Sequence, residues 1–115
     1  MKKDRERARE RLNHIKSAID KIEHYTKELQ KHDFCDDSIT NEAVLFQLSI
    51  IGEAIIHIDN DILKKYNYPW HKVRALRNVI THEYFGIQLD KIWSIIQDDF
   101  PELNKQIETI IENEF

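Results

Sequence analysis

The sequence predicts an all-α protein, an up-and-down helical bundle of four to five helices in a single domain spanning residues 1–115. Three observations predict it. Only two glycines and two prolines occur in 115 residues, which leaves little room for a turn-rich β-architecture. Apolar residues recur at helical spacings in segment after segment. The chain is 41% hydrophobic and 33% charged, the composition of a globular domain with a highly charged surface, and its length suits one core.

The first segment runs from about Asp4 to Lys31, with Leu12, Ile15, Ile19, Ile22 and Leu29 at spacings of three, four and seven. That is an amphipathic helix with one narrow apolar stripe. His32 to Asp37 breaks the pattern, because aspartate competes for the helix backbone and favours turns, and Cys35 falls in this polar loop. A second helix opens at Asp37 or Ser38, either of which can cap, and continues to about Lys65. It carries one stripe of Val44, Leu48, Ile51, Ile55, Ile58 and Ile62, and a second of Phe46, Ile50 and Ala54. A helix apolar on two faces needs cover on two sides, the bundle core and a second subunit. Gly52 costs about 1 kcal/mol relative to alanine mid-helix, so a close helix–helix approach is expected there.

Tyr66 to Tyr68 connect to a third helix with Pro69 in its first turn, where a missing N–H does no harm. Trp70, Val73, Leu76 and Ile80 face inward, and the helix is expected to end near Phe85, with Gly86 as a left-handed terminal residue. A fourth helix opens at Gln88 or Asp90 with Leu89, Ile92, Trp93 and Ile96. Pro101 breaks or kinks it before Leu103, Ile107, Ile110 and Ile111. Trp70, Trp93, Phe46 and Phe100 read as core or interface aromatics.

The formal charge of −4 argues against a general duplex-DNA binder, although it allows a local basic groove. Positive residues gather at the N-terminus, where alternating acids mark a solvated face, and around His71, Lys72, Arg74 and Arg77. A single cysteine excludes an internal disulfide and fits a reducing cytoplasm. The N-terminus lacks the apolar region of a signal peptide, and no uninterrupted apolar run approaches the ~20 residues of a membrane span. A cytoplasmic protein with no membrane contact is expected.

The third helix holds the chemistry. At 100° per residue, Arg74, Arg77, Thr81 and Tyr84 fall close to one face, and Asn78 and His82 share a neighbouring strip. Arginine grips phosphate oxygens with a charge that does not titrate away, histidine can take a proton from a hydroxyl, and tyrosine can accept a transferred group. Arg77 and His82 stand five apart, so in a regular helix they point about 140° away from each other. Either the helix loosens near His82, or a two-fold dimer brings two such segments to one groove.

R-N-V-I-T-H-E-Y, Arg77 to Tyr84, matches the R-x-x-x-x-H-x-Y signature and resembles the HepT-like HEPN toxin family. Ala43 to Ala54, Pro69 to Ile87 and Asp98 to Leu103 extend the resemblance over nearly the whole chain. The resemblance implies a homodimer of helical bundles, a partner that is a minimal nucleotidyltransferase antitoxin, and metal-independent cleavage of RNA. It implies that Arg77 holds the scissile phosphate, that His82 acts as acid or base for an attacking 2′-hydroxyl, and that Asn78 orients the histidine or the phosphate. Tyr84 would accept AMP from ATP used by the antitoxin, so the toxin itself needs no cofactor. Glu53, Arg74 and Thr81 are supporting candidates. The alternative is a non-catalytic helical partner subunit that helps a nucleotidyltransferase bind its substrate.

A carboxylate-bridged metal bundle would use Glu-x-x-His pairs. Every Glu–His pair of interest here is four apart instead. Glu10–His14 and Glu28–His32 read as surface salt bridges, and Glu53–His57 as a buried polar pair at the dimer interface.

Overall fold

The computed structural model describes residues 2–115, and Met1 lies outside the described residues. The described residues form helices without a strand, in a body of 46 × 28 × 22 Å. The order is α1 (Lys2–Thr26), α2 (Lys31–Asp36), α3 (Ser38–Ile56), α4 (Asn60–Leu63), α5 (Trp70–His82), a 3-10 turn (Tyr84–Gly86), α6 (Leu89–Ser94), a π-turn (Ile95–Asp99) and α7 (Phe100–Glu114). Helix α3 packs between α1 and α5, α7 lies along α1, and α2 packs on α6. The all-α bundle expected from the sequence is the observed architecture.

The α1 stripe of Leu12, Ile15, Ile19 and Ile22 is completely buried against Leu48, Ile51 and Ile55 of α3 and Ile107 and Ile110 of α7. Each such side chain contributes about 1.5–3 kcal/mol of transfer free energy. Helix α1 stops at Thr26, five residues before the expected end. The Thr26 hydroxyl donates to the Ile22 carbonyl at 2.8 Å, and the Leu29 N–H turns back to the Thr26 carbonyl.

The stretch expected as a loop, His32 to Asp37, is largely the short helix α2. Asp33, the supposed breaker, sits in its first turn and accepts from the Gln30 N–H at 2.9 Å. An aspartate therefore starts this helix instead of ending one. Phe34 is fully buried and packs its ring 5.4 Å from Trp93. Cys35 is a half-buried helical residue, not a loop residue.

Asp37 is the cap of α3, accepting from the Thr40 N–H and the Thr40 hydroxyl. The side-chain bond from Thr40 is the main reason that the Asp37 carboxyl is held below its ordinary range. Helix α3 ends at Ile56 instead of running to Lys65. Asp59 accepts from the Asp61 N–H at 2.8 Å and starts α4 afresh, a turn that buries both Ile58 and Leu63. By length and composition α3 could cross a membrane, because Glu42 and Glu53 interrupt the run without lowering its mean hydropathy far. Half of that window is buried inside the bundle, as in a core helix.

Pro69 stands just ahead of α5, which begins at Trp70. The buried Trp70 indole N–H donates to the Leu63 and Tyr66 carbonyls at 3.0 and 3.1 Å, tying α5 to the end of α4. Helix α5 ends at His82, not Phe85. Gly86 has no left-handed conformation; its N–H closes the 3-10 turn on the Glu83 carbonyl at 2.8 Å. The tight turn satisfies the helix end in place of a glycine cap. The break expected at Pro101 appears just before it. Pro101 has no N–H to give the Gln97 carbonyl, and the preceding turn widens so that the Phe100 N–H reaches back five residues to Ile95.

Candidate active site

Helices α3 and α5 run antiparallel. Rising along α5, Trp70 meets Leu63 and Arg74 meets Asn60 on α4, and Arg77 then meets Gly52 and Glu53 further back on α3. The mid-helix glycine permits the closest of these approaches. A Cβ built on Gly52 would lie 2.5 Å from the Arg77 backbone nitrogen and 2.8 Å from the Arg77 Cβ. Only a residue without a side chain lets the α5 backbone sit here.

That approach sets the next contact. The Glu53 carboxylate reaches Arg77 Nε at 3.0 Å through one oxygen and His57 Nε2 at 3.0 Å through the other. The Arg77 contact is an ion pair at Nε, and among the described residues neither Nη group has a hydrogen-bond or ion-pair partner, which leaves free the edge that can bind a phosphate with two parallel bonds. All three side chains are about half exposed. The triad therefore contributes little stability, and it places the guanidinium beside Glu53 without locking it there. Glu53–His57, expected as a buried pair, is half exposed in the single chain.

The other candidates separate. Arg74 is spent on Asn60, its Nη2 donating to the amide oxygen at 3.0 Å. Asn78, Thr81, His82 and Tyr84 are exposed, and among the described residues no side-chain hydrogen bond or ion pair engages them. Helix α5 stays α-helical through His82, so any loosening comes after the histidine and not before it. Arg77 and His82 consequently remain on opposite sides of one helix. Tyr84 lies beyond the helix end, in the 3-10 turn, with its ring edge-on to Phe85 at 5.5 Å.

Two features add to the site. A cleft of about 240 Å³ between α1 and α3 is lined by Arg11, His14, Ser49, Ile50, Glu53 and Ala54, so α1 brings a cation and an imidazole beside Glu53. In the sequence both read as surface groups flanking the apolar stripe, Arg11 in the alternating charged N-terminus and His14 in a salt bridge to Glu10, so neither is marked as part of a site. His14 does not close on Glu10 as expected, and His32 meets Asp33 at 3.2 Å instead of Glu28. On α3, Ile39, Phe46 and Glu53 repeat at seven-residue spacing. Ile39 is 83% and Phe46 63% exposed, so two large apolar side chains stand open on the face of α3 that also carries Glu53, and of the expected second stripe only Phe46 is open. Of that stripe only Ala54 is buried, and Ile50 is half-buried.

Comparison with known proteins gives a consistent picture. Residues 15–110 match the family model described as "Ribonuclease HepT-like". The chain is 38% identical over 97 residues to "Putative RNase MJ1380" of Methanocaldococcus jannaschii, covering 84% of this chain and 88% of that one. It is 35% identical over 100 residues to "Probable ribonuclease HepT" of Thermococcus cleftensis, covering 86% and 91%. It is also 36% identical over 102 residues to "Gamma-glutamylcyclotransferase and putative RNase MJ0434" of M. jannaschii, where it covers 88% of this chain but spans only 46% of the relative. No solved structure matches. With a family model over most of the chain and relatives matched nearly end to end, this protein belongs to the HepT-like ribonuclease family.

Proposed function

We propose that this protein is the toxin of a type II toxin–antitoxin system, a metal-independent endoribonuclease silenced by AMP transfer onto Tyr84. The observation that carries the proposal is the orientation of Arg77. Gly52 lets its backbone against α3, Glu53 pairs with it at Nε, and among the described residues its Nη groups have no partner, which leaves them for an anion. His82 stands exposed, and among the described residues no side chain engages it, so its imidazole is open to a substrate hydroxyl.

In the reaction, a ribose 2′-hydroxyl attacks the adjacent phosphorus and the P–O5′ bond breaks, leaving a 2′,3′-cyclic phosphate and a 5′-hydroxyl. His82 takes the 2′-hydroxyl proton or gives one to the leaving oxygen. Arg77 balances the charge that grows on the phosphoryl oxygens. Asn78 orients the phosphate or the histidine, with Thr81 and Glu53 in support. Since Arg77 and His82 lie on opposite sides of α5, the proposal includes a homodimer in which Arg77 of one copy works with His82 of the other. The exposed Ile39 and Phe46 support that pairing, because they share a face of α3 with Glu53. AMP on Tyr84 would add bulk and negative charge beside the site, repelling RNA. The cognate nucleotidyltransferase antitoxin would supply it from ATP.

The test is incubation of wild type and His82→Ala with cellular RNA in excess EDTA, followed by end mapping and intact mass. Cleavage by wild type alone, with cyclic phosphate ends, is expected. Silence from protein shown by mass to carry no AMP overturns the ribonuclease proposal in favour of a non-catalytic partner subunit of a nucleotidyltransferase.

A further inference from the structure

A groove of about 530 Å³ runs between α5 and the π-turn with the start of α7, within the size range of ordinary ligand pockets. Its floor is apolar, with Leu76 and Val79 on one side and Ile95 and Leu103 on the other. It excludes Arg77, although His82 lies one turn beyond Val79 on the same face of α5. Val79 and Arg77 lie about 160° apart around α5. Its rim is acidic: Asp98, Asp99 and Glu102 stand on the π-turn and α7, against Lys72 alone on α5. All three carboxylates are exposed, and among the described residues no ion pair neutralises any of them. The field reaches the groove's end, where Tyr68 is pushed above its ordinary range by burial first and by the charges of Asp99 and Glu102 next. The widened turn before Pro101 presents Asp98 and Asp99 at this rim.

We propose that this groove docks a basic amphipathic helix of a partner protein, with apolar side chains on Leu76, Val79, Ile95 and Leu103 and lysines or arginines on Asp98, Asp99 and Glu102. Charge selects this occupant. Phosphates of a nucleic acid would face three unpaired carboxylates. A second copy docked symmetrically, groove to groove, would bring six such carboxylates together, three from each copy. A helix with an apolar stripe flanked by cations meets both the floor and the rim. The proposal does not depend on the ribonuclease chemistry.

The test uses the full chain and two fluorescein-labelled model helices with the same leucine stripe, one flanked by lysines and one by glutamates, read by anisotropy. The lysine helix is expected to bind at least about tenfold more tightly, with affinity falling as salt rises. The Asp98→Lys/Glu102→Lys double variant should reverse the preference, and Val79→Asp should weaken both helices. Circular dichroism establishes that each variant is folded. Equal binding of the two helices overturns the proposal, as does an affinity unchanged in both variants. Light scattering that shows a dimer lost in the Asp98/Glu102 variant also overturns it, assigning the groove to a second copy. So does a labelled single-stranded RNA oligonucleotide, added without either helix, that binds wild type and loses that binding in Val79→Asp.

Discussion

The missing side chain of Gly52 and the backbone nitrogen of Arg77 occupy the same space: a Cβ on the glycine would sit 2.5 Å from that nitrogen. The position of the arginine at the core of the family signature is thus set by a residue twenty-five positions away, on another helix.

Gly52→Ala tests this directly. Alanine gains about 1 kcal/mol in helix propensity. The clash is with backbone, however, so the two helices must separate and break the packing between α3 and α5. A net loss of about 1–3 kcal/mol is expected. RNA cleavage should fall further than stability accounts for, because Arg77 moves with its helix. A melting temperature equal to wild type would contradict the close packing.

Glu53→Gln separates positioning from folding. The pair is half exposed, so stability should change by no more than about 0.5 kcal/mol. Cleavage should drop by roughly twofold to fivefold, as Arg77 loses the carboxylate that biases its orientation. Arg77→Lys should not recover activity, since an ammonium offers no planar fork. Arg74→Ala, already tied to Asn60, should stay within about threefold of wild type. If Arg74→Ala is the more damaging variant, the assignment of the phosphate-binding arginine is wrong.

Trp70→Phe keeps an aromatic ring in the core but deletes the N–H together with the five-membered ring that carries it. The Leu63 and Tyr66 carbonyls then lose a donor in a mostly dry setting. Destabilisation of about 1–3 kcal/mol is expected in urea denaturation, with an unchanged m-value.

Glu114 gives a pH signature. Its carboxylate accepts from Lys65 Nζ at 3.0 Å and from the Tyr66 hydroxyl at 2.8 Å, and the Lys65 bond is the larger cause of its lowered pKa. A depressed folded pKa contributes stability that is complete above the ordinary glutamate value, about 4.3, and is lost as pH falls through the lower folded value. The melting-temperature gap between wild type and Glu114→Gln should therefore be steady near neutrality and close in acid. A gap independent of pH would remove the carboxylate from the account.

What the sequence alone determined was whatever depends on periodicity and local chemistry. The 3.6-residue stripes of α1 and α7 need only one buried face to be legible. The Asp37 cap acts within three residues of itself. The unusual mid-helix glycine announced a close approach, and the R-x-x-x-x-H-x-Y segment announced the family. What tertiary structure decided depends on neighbours that no local pattern names. His32 to Asp37 reads as a loop until Phe34 finds Trp93, whose burial holds a helix together across its aspartates. The single segment to Lys65 splits because Asp59 restarts the helix where Ile58 and Leu63 must both reach the core. Gly86 needs no left-handed turn because the 3-10 bond to Glu83 satisfies the same backbone groups. In the site, spacing gave the angle between Arg77 and His82, and the helix kept it. The partner of Arg77 lies across α3, and the cleft of Arg11 and His14 comes from α1, because side chains far apart in sequence meet only when the helices pack.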